Sequence, residues 1–301
     1  QFHSIHLLDI ENFLRQMKSY YRIMLGKQSA YAQDAFDEGI VGIHEDFIGD
    51  LTGRLPDDWR TFNKEMIPVY LSVYPEKSKI AAGLACGFMW TVCKGVRVGD
   101  VVLSPDGTGS YHIAEVTGDY YYMDAPFFPH RRRVKWSGKR IERSAMSESL
   151  RNSAGSIGTV SNITKYAEEI DRLIKGDDAP KIISTDETIE DASAFAMEKH
   201  LEEFLVQNWS QTELGKEYDI FEVDGEKVGQ QYLTDTGPMD ILAVKKDKSE
   251  LLVVELKRGR ASDVVVGQTL RYMGYALQEL AESHQKVRGV IIALELSLIH
   301  I

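Results

Sequence analysis

Three polar residues, Asp240, Glu255 and Lys257, stand where their neighbours are aliphatic, in the stretch TDTGPMDILAVKKDKSELLVVELKRGR from Thr234 to Arg260. The runs MDILAV and LLVVEL are rich in β-branched and aliphatic residues, as strands packed on both faces are. Between them DKSE reads as a turn. With a two-residue loop at Asp247 and Lys248, Lys246 pairs with Ser249, and counting outward sets Asp240 directly across from Glu255. Opposed residues share a face at about 5 Å between Cβ atoms. Lys257 lies on that face too, because side chains alternate with period two. Adjoining carboxylates repel unless a cation lies between them. Hard oxygens suit Mg²⁺ or Mn²⁺, which take one or two carboxylates together with water and phosphate oxygens. The chemistry this predicts is metal-assisted phosphodiester hydrolysis. Lys257 would orient the attacking water or steady the developing charge. The plain alternative makes Asp240 the end of a turn and Glu255 and Lys257 a solvated strand face, against which the aliphatic neighbours argue.

The surrounding elements must hold these groups. Upstream, FAMEKHLEEFLVQNW repeats Phe195, Leu201, Phe204, Leu205 and Trp209 at helical spacing, with Glu198 and Glu202 four apart on one stripe. DIFEVDGEKVGQQY adds a strand with Asp224-Gly225 as its turn. Downstream, Arg258 and Arg260 form a basic tip where a substrate backbone would enter. Ser262 or Asp263 caps the next helix. On it Gln268 and Tyr272 share one face, while Val264, Leu270, Met273, Leu277 and Leu280 supply an apolar side.

Asp240, fourteen intervening residues and Glu255-Leu256-Lys257, followed by a helix with GQTLRYMGY, resemble the PD-(D/E)xK nuclease superfamily, in particular NucS-type and Mrr-like restriction endonuclease domains. The likeness runs from about Ala192 to Leu294. It implies a mixed sheet flanked by helices and a divalent-metal-dependent DNA endonuclease of the restriction or defence type. It further implies Asp240, Glu255 and an acid of the first helix, best matched by Glu198, as metal ligands. Gln268 would stand near the metal and Tyr272 near the DNA backbone. For Glu198 and Glu202 the alternative is a solvated surface. Relatives of this kind usually continue with a further helix or strand, so the chain is expected to stop short of a full domain.

The chain before this domain is of another kind. Residues 1–19 form an extension to which no function attaches, residues 20–175 a separate unit, and residues 176–190 an acidic linker that would let the two units move independently. Residues 191–301 form the nuclease unit. Within 20–175, VGDVVL…YHIAEVTGDYYY followed by HRRRVKW resembles PUA-like and EVE-like β-barrels. That resemblance implies a module that reads a flipped, modified base. The segment His130–Arg143 carries Arg131, Arg132, Arg133, Lys135, Lys139, Arg140 and Arg143 against the single acid Glu142, a local footprint for phosphates. Trp90, Tyr120 and Tyr122 offer faces on which a base could stack. Aromatic residues alternating along small-barrel strands are also commonly core. The expected architecture is thus α/β (α+β), an N-terminal barrel with helices and a C-terminal mixed sheet.

Composition sets the limits. With 301 residues, 43% hydrophobic and 27% charged, the chain is long enough for two globular units. A formal charge of −11 argues against wholesale attraction to nucleic acid, so contacts must be local. Cys86 and Cys93 lack the histidines and spacing of a zinc site and read as buried thiols of a cytoplasmic protein. No apolar run is long enough for a bilayer, and no Gly-rich loop precedes a Lys-Ser/Thr pair. Two classes of function remain: a metal-dependent DNA endonuclease, whether monomer or homodimer, and a catalytically silent sensor of nucleotides or nucleic acid. Retention of all three polar hairpin residues favours the enzyme.

Overall fold

The computed structural model describes residues 18–155, 158–176, 201–202, 204–223, 225–260 and 263–295. Nearly all of the predicted extension and of the linker, and Glu198, lie outside these.

The N-terminal unit opens with β1 (Tyr20–Ile23), α1 (Ala32–Glu38) and β2 (Ile40–Ile43). Gly39, at φ +67°, provides the left-handed end of α1 that lets the chain turn at once into β2. Two longer helices follow, α2 (Trp59–Val73) and α3 (Lys79–Trp90). Asp58 caps α2 by accepting from Thr61 N, and Ser78 caps α3 by accepting from Ala81 N. Then come β3 (Val101–Pro105), β4 (Ser110–Tyr122), β5 (His130–Glu142), α4 (Glu148–Ala154), β6 (Val160–Asn162) and α5 (Ala167–Lys175). Gly176 ends α5 in a left-handed cap. The strands make one sheet in the order β2-β5-β4-β3-β1-β6, in which β1 runs parallel to β3.

This corrects the expectation of a closed barrel. Among the described residues the outer strands β2 and β6 do not pair, and the sheet is open. They are only four and three residues long, too short for the tilted, staggered pairing that closure requires.

The second sheet is built from β7 (Tyr218–Ile220), β8 (Gln230–Thr234), β9 (Gly237–Lys245), β10 (Glu250–Arg260) and β11 (Lys286–Glu295), preceded by a short helix α6 (Glu213–Glu217). The order is β11-β10-β9-β7, with β8 also paired to β9. The helix α7 (Asp263–Tyr275) connects β10 to the parallel strand β11. Both faces of β10 are covered. Leu251 and Val253 point into one core with Tyr272 and Tyr275 of α7, whereas Leu252, Val254 and Leu256 point into another with Val206 and Trp209. Of the apolar side expected for α7, Val264, Leu270 and Leu277 are exposed instead, and the helix packs through Val265, Thr269, Tyr272 and Tyr275.

The two units do not behave as beads on a string. One hydrophobic core runs from β1 and β2 through α2 and α3 to Tyr232, Met239, Tyr275 and Leu280. Tyr232 Oη donates to Ile80 O at 3.0 Å, and Gly83 leaves the space that Leu280 fills, since a Cβ there would lie 2.8 Å from Leu280 Cδ2. Arg60 of α2 donates to Asp235 in the β8–β9 turn at 2.5 Å. The independent motion expected from the linker is thus overridden by a shared apolar interface and an ion pair across it.

One carboxylate is held in this N-terminal layer against its ordinary chemistry. Burial, and then the neighbouring Asp46, push Glu45 up to about 7. A carboxyl raised on folding contributes stability that is complete below its unfolded value and is lost as pH rises through about 7. Glu45→Gln, which mimics the neutral acid, is expected to raise the thermal midpoint at pH 8 and leave it unchanged at pH 4. Equal shifts at both pH values would rule out this account.

Candidate active site

The register of the β9–β10 hairpin is the one the sequence predicts. Leu251 faces Val244, Leu252 faces Ala243, Val253 faces Leu242 and Val254 faces Ile241, so the next pair in the same count is Glu255 and Asp240. The loop is longer than the assumed two residues: the ladder strands end at Lys245 and resume at Glu250. That lengthening is symmetric and leaves the pairing unchanged. At Asp240 the ladder gives way, and its Oδ2 accepts Leu256 N at 2.8 Å. A charge-assisted bond of this kind replaces the missing backbone pair and fixes the carboxylate beside the Glu255–Lys257 stretch. Glu255 is 4% exposed, whereas Asp240 and Lys257 are half-buried.

Gln231 stands opposite Asp240 on β8, between the pairs Gln230–Ile241 and Tyr232–Met239. Its Nε2 donates to Asp240 Oδ1 at 3.1 Å and to Glu202 Oε2 at 2.6 Å, while Gln230 Nε2 donates to Glu202 Oε1 at 2.7 Å. Glu202 is 2% exposed, so it is not the solvated surface acid of the alternative reading. Among the described residues it is the helix glutamate that bonds to β8. Glu198, its partner on the stripe, lies outside them. Periodicity placed both glutamates on one stripe without distinguishing them, and it gave no signal for Gln231.

On the other side of the hairpin, Gln268 Nε2 donates to Tyr272 Oη at 3.3 Å. Tyr272 is 3% exposed and packs beneath Gly237, where a Cβ would lie 3.2 Å from its hydroxyl. Burial pushes its hydroxyl up to about 12; the hydrogen bond from Gln268 opposes this, and the charges of Glu255 and Asp240 add smaller upward pushes. This corrects its assignment to the DNA backbone: Tyr272 is a core residue whose hydroxyl remains protonated next to the two carboxylates. A register shift falls between Lys257 and Arg260, with Arg258 inside it, and the side chains of Arg258 and Arg260 lie outside the described set.

The donor set fits a hard divalent ion in its chemistry, with carboxylate oxygens from Asp240 and Glu255 and with Glu202 tied to the first through one amide. Among the described residues no three His, Cys, Asp or Glu side chains form a ready cage.

The basic segment divides sharply. Arg131 is 2% exposed, with Nε on Phe128 O at 2.7 Å, Nη2 on Phe127 O at 3.0 Å and Nη1 on Glu38 at 2.7 Å. Arg132 is 3% exposed, with Nε on Gly118 O at 3.0 Å and Nη1 on Cys93 O at 3.1 Å. Their expected role as surface phosphate contacts is therefore corrected, because both guanidiniums satisfy buried carbonyls. Arg133 and Lys135 are exposed, and Arg133 lies over the Tyr121 ring at 5.1 Å.

A cleft of about 1250 Å³ separates this sheet from the β8–β9 hairpin. Trp90, Tyr120 and Arg132 form part of one wall, and Thr234, Gly237 and Pro238 part of the other. Of the three aromatics expected in a base pocket, Trp90 and Tyr120 line it. Tyr122 does not, since it packs edge-on against His130 at 5.3 Å. Trp59, which the sequence did not single out, lies 5.7 Å from the Trp90 ring. A smaller crevice shares Leu233 and Pro238 with the cleft and reaches Gln231, the partner of Asp240.

Comparison with known proteins finds two separate matches along the chain. Residues 21–164 match a family described as a domain of unknown function, DUF8426, and residues 213–298 match the family described as the endonuclease NucS C-terminal domain. The second stretch is thus a NucS-type nuclease domain, as the hairpin motif implied. Among curated proteins none matches the sequence. A solved structure described as an EndoMS–dsDNA2 complex is similar at 15% identity over 62% of this chain, with a TM-score of 0.26. The chain spans about half of that protein's length, 54%. Among the described residues no helix is long and apolar enough to cross a membrane.

Proposed function

We propose that this chain is a divalent-metal-dependent DNA endonuclease of the restriction or defence type, acting in the cytoplasm. Residues 191–301 would carry the chemistry and residues 20–175 the specificity, joined through 176–190. The observation that carries this reading is the convergence of Asp240 on the Glu255–Lys257 strand, fixed by its bond to the Leu256 amide. Asp240 and Glu255 would hold Mg²⁺ or Mn²⁺, which lowers the pKa of water and neutralises phosphate charge when bound. Lys257, on the same strand face as Glu255, donates to the attacking water or to the phosphoryl oxygen. Gln268, through its bond to the Tyr272 hydroxyl, would stand beside the metal site. The interdomain cleft, with Trp90 and Tyr120 on its wall, has the size and aromatic lining to accept a modified or mismatched base.

The assay is cleavage of plain, methylated, hydroxymethylated and mismatched duplexes, with and without Mg²⁺ or Mn²⁺. Cleavage that requires metal supports the enzyme, and its stoichiometry of strand breaks, read with sedimentation, decides between monomer and homodimer. Binding without any cleavage favours the catalytically silent sensor. Trp90→Ala is expected to lose about 1–3 kcal/mol of preference for the favoured duplex, the worth of one base–aromatic stack. A wild-type protein that shows no preference among the duplexes removes the reader role.

A further inference from the structure

Gln231 has a φ of +51° inside a β-strand, a left-handed backbone that residues with side chains adopt at a cost. Strain of this kind persists where the surroundings impose it, and it concentrates at functional sites. Here it has a visible result. Consecutive side chains of a strand normally point to opposite faces. Gln230 and Gln231 instead send both amide nitrogens to one carboxylate, at 2.7 Å to Glu202 Oε1 and 2.6 Å to Glu202 Oε2. The same Gln231 nitrogen donates to Asp240 Oδ1 at 3.1 Å. Carboxylate oxygens only accept, so the NH₂ half of the amide, with its two hydrogens, is the half that fits between them. Glutamate at this position would gather three carboxylates, and an apolar residue would leave two like charges with no donor between them.

We propose that Gln231 is a positioning residue, strained so that its amide locks Asp240 to the buried Glu202 and holds the catalytic carboxylate on the Leu256 side. This rests on the nuclease reading. Asp240 would be oriented before any divalent ion binds, because one of its oxygens is held by the Leu256 amide and the other by Gln231. Groups that orient a metal-binding carboxylate in this way are typically worth about 10–100-fold in metal affinity or activity.

Gln231→Gly tests this on the full chain, because glycine accepts the left-handed backbone without strain while removing the amide. Mn²⁺ binding is measured by isothermal titration calorimetry in the absence of DNA, alongside kcat and KM for duplex cleavage and the metal-free unfolding midpoint. The expected result is a loss of about 10–100-fold in Mn²⁺ affinity and in kcat. KM for DNA is expected to be unchanged, and the midpoint serves to show that the variant is folded at the assay temperature. Gln231→Asn, which tolerates the backbone and keeps a shorter amide, recovers part of the loss. If Gln231→Gly binds Mn²⁺ and cleaves as the wild type does, the positioning role is overturned while the nuclease reading stands. If the wild type itself neither binds Mn²⁺ nor cleaves, both fall together.

Discussion

Asp240→Ala and Lys257→Ala are each expected to reduce metal-dependent cleavage by about 10³–10⁴-fold while DNA affinity is retained. Losses on this scale follow removal of one member of a group that acts as a unit. For Asp240 the argument is local. Its two oxygens have separate duties in the apoprotein, one on Leu256 N and one on Gln231 Nε2. Alanine removes both bonds as well as the charge, so a folding control is needed. Asp240→Asn supplies it: its carbonyl still accepts from Leu256 N, but its NH₂ then meets the Gln231 NH₂, and the negative oxygen is gone. Asn is expected to fold and remain inactive. Lys257→Arg keeps the charge in a planar fork that cannot replace a point donor, and is expected to recover little. Cleavage within tenfold of wild type by either alanine variant, at saturating Mg²⁺, would sink the assignment.

How much of this was legible beforehand depended on whether the signal was local. The β9–β10 register was readable because both strands are covered and a one-residue slip would exchange the Leu251–Val253 and Leu252–Val254 faces between two different cores. Asp240, Glu255 and Lys257 stood out for the same reason, as polar groups in an apolar pattern. Glu202 and Gln231 did not. A glutamate on a helical stripe looks the same whether it faces water or a buried amide, and the left-handed turn at Gln231 leaves no periodic trace. The barrel expectation failed at the sheet ends, where closure depends on the pairing of two short strands far apart in sequence, β2 and β6. The exposed side of α7 was misjudged because a helix with apolar residues all round offers no unique inward face. The shared core was hidden by its non-local origin, since Ile80 and Tyr232 meet across 152 residues of chain.

The basic run His130–Arg143 is where charge counting and burial part company, and there the variants are expected to separate cleanly. Arg131→Ala leaves the Phe127 and Phe128 carbonyls without their donor and removes the partner of Glu38, in a setting only 2% exposed. Unsatisfied buried acceptors cost about 1–3 kcal/mol each, so Arg131→Ala is expected to destabilise the fold by about 3 kcal/mol in urea denaturation. DNA affinity per folded molecule should hardly change. Arg133 and Lys135 are exposed on β5, and their joint replacement by Ala is expected to have the opposite signature. Stability stays near wild type, while log affinity against log salt loses about 0.9 of slope for each phosphate contact removed, or about 2 in all. The reasoning turns on strand geometry rather than on the number of arginines. Arg131 sits where the strand begins against the Phe127–Phe128 turn and Arg132 faces the Cys93 carbonyl, whereas Arg133 and Lys135 project from the same strand into water. A double variant with an unchanged salt slope would mean that DNA approaches by another face, and the cleft beside Trp90 would then have to receive it without help from β5.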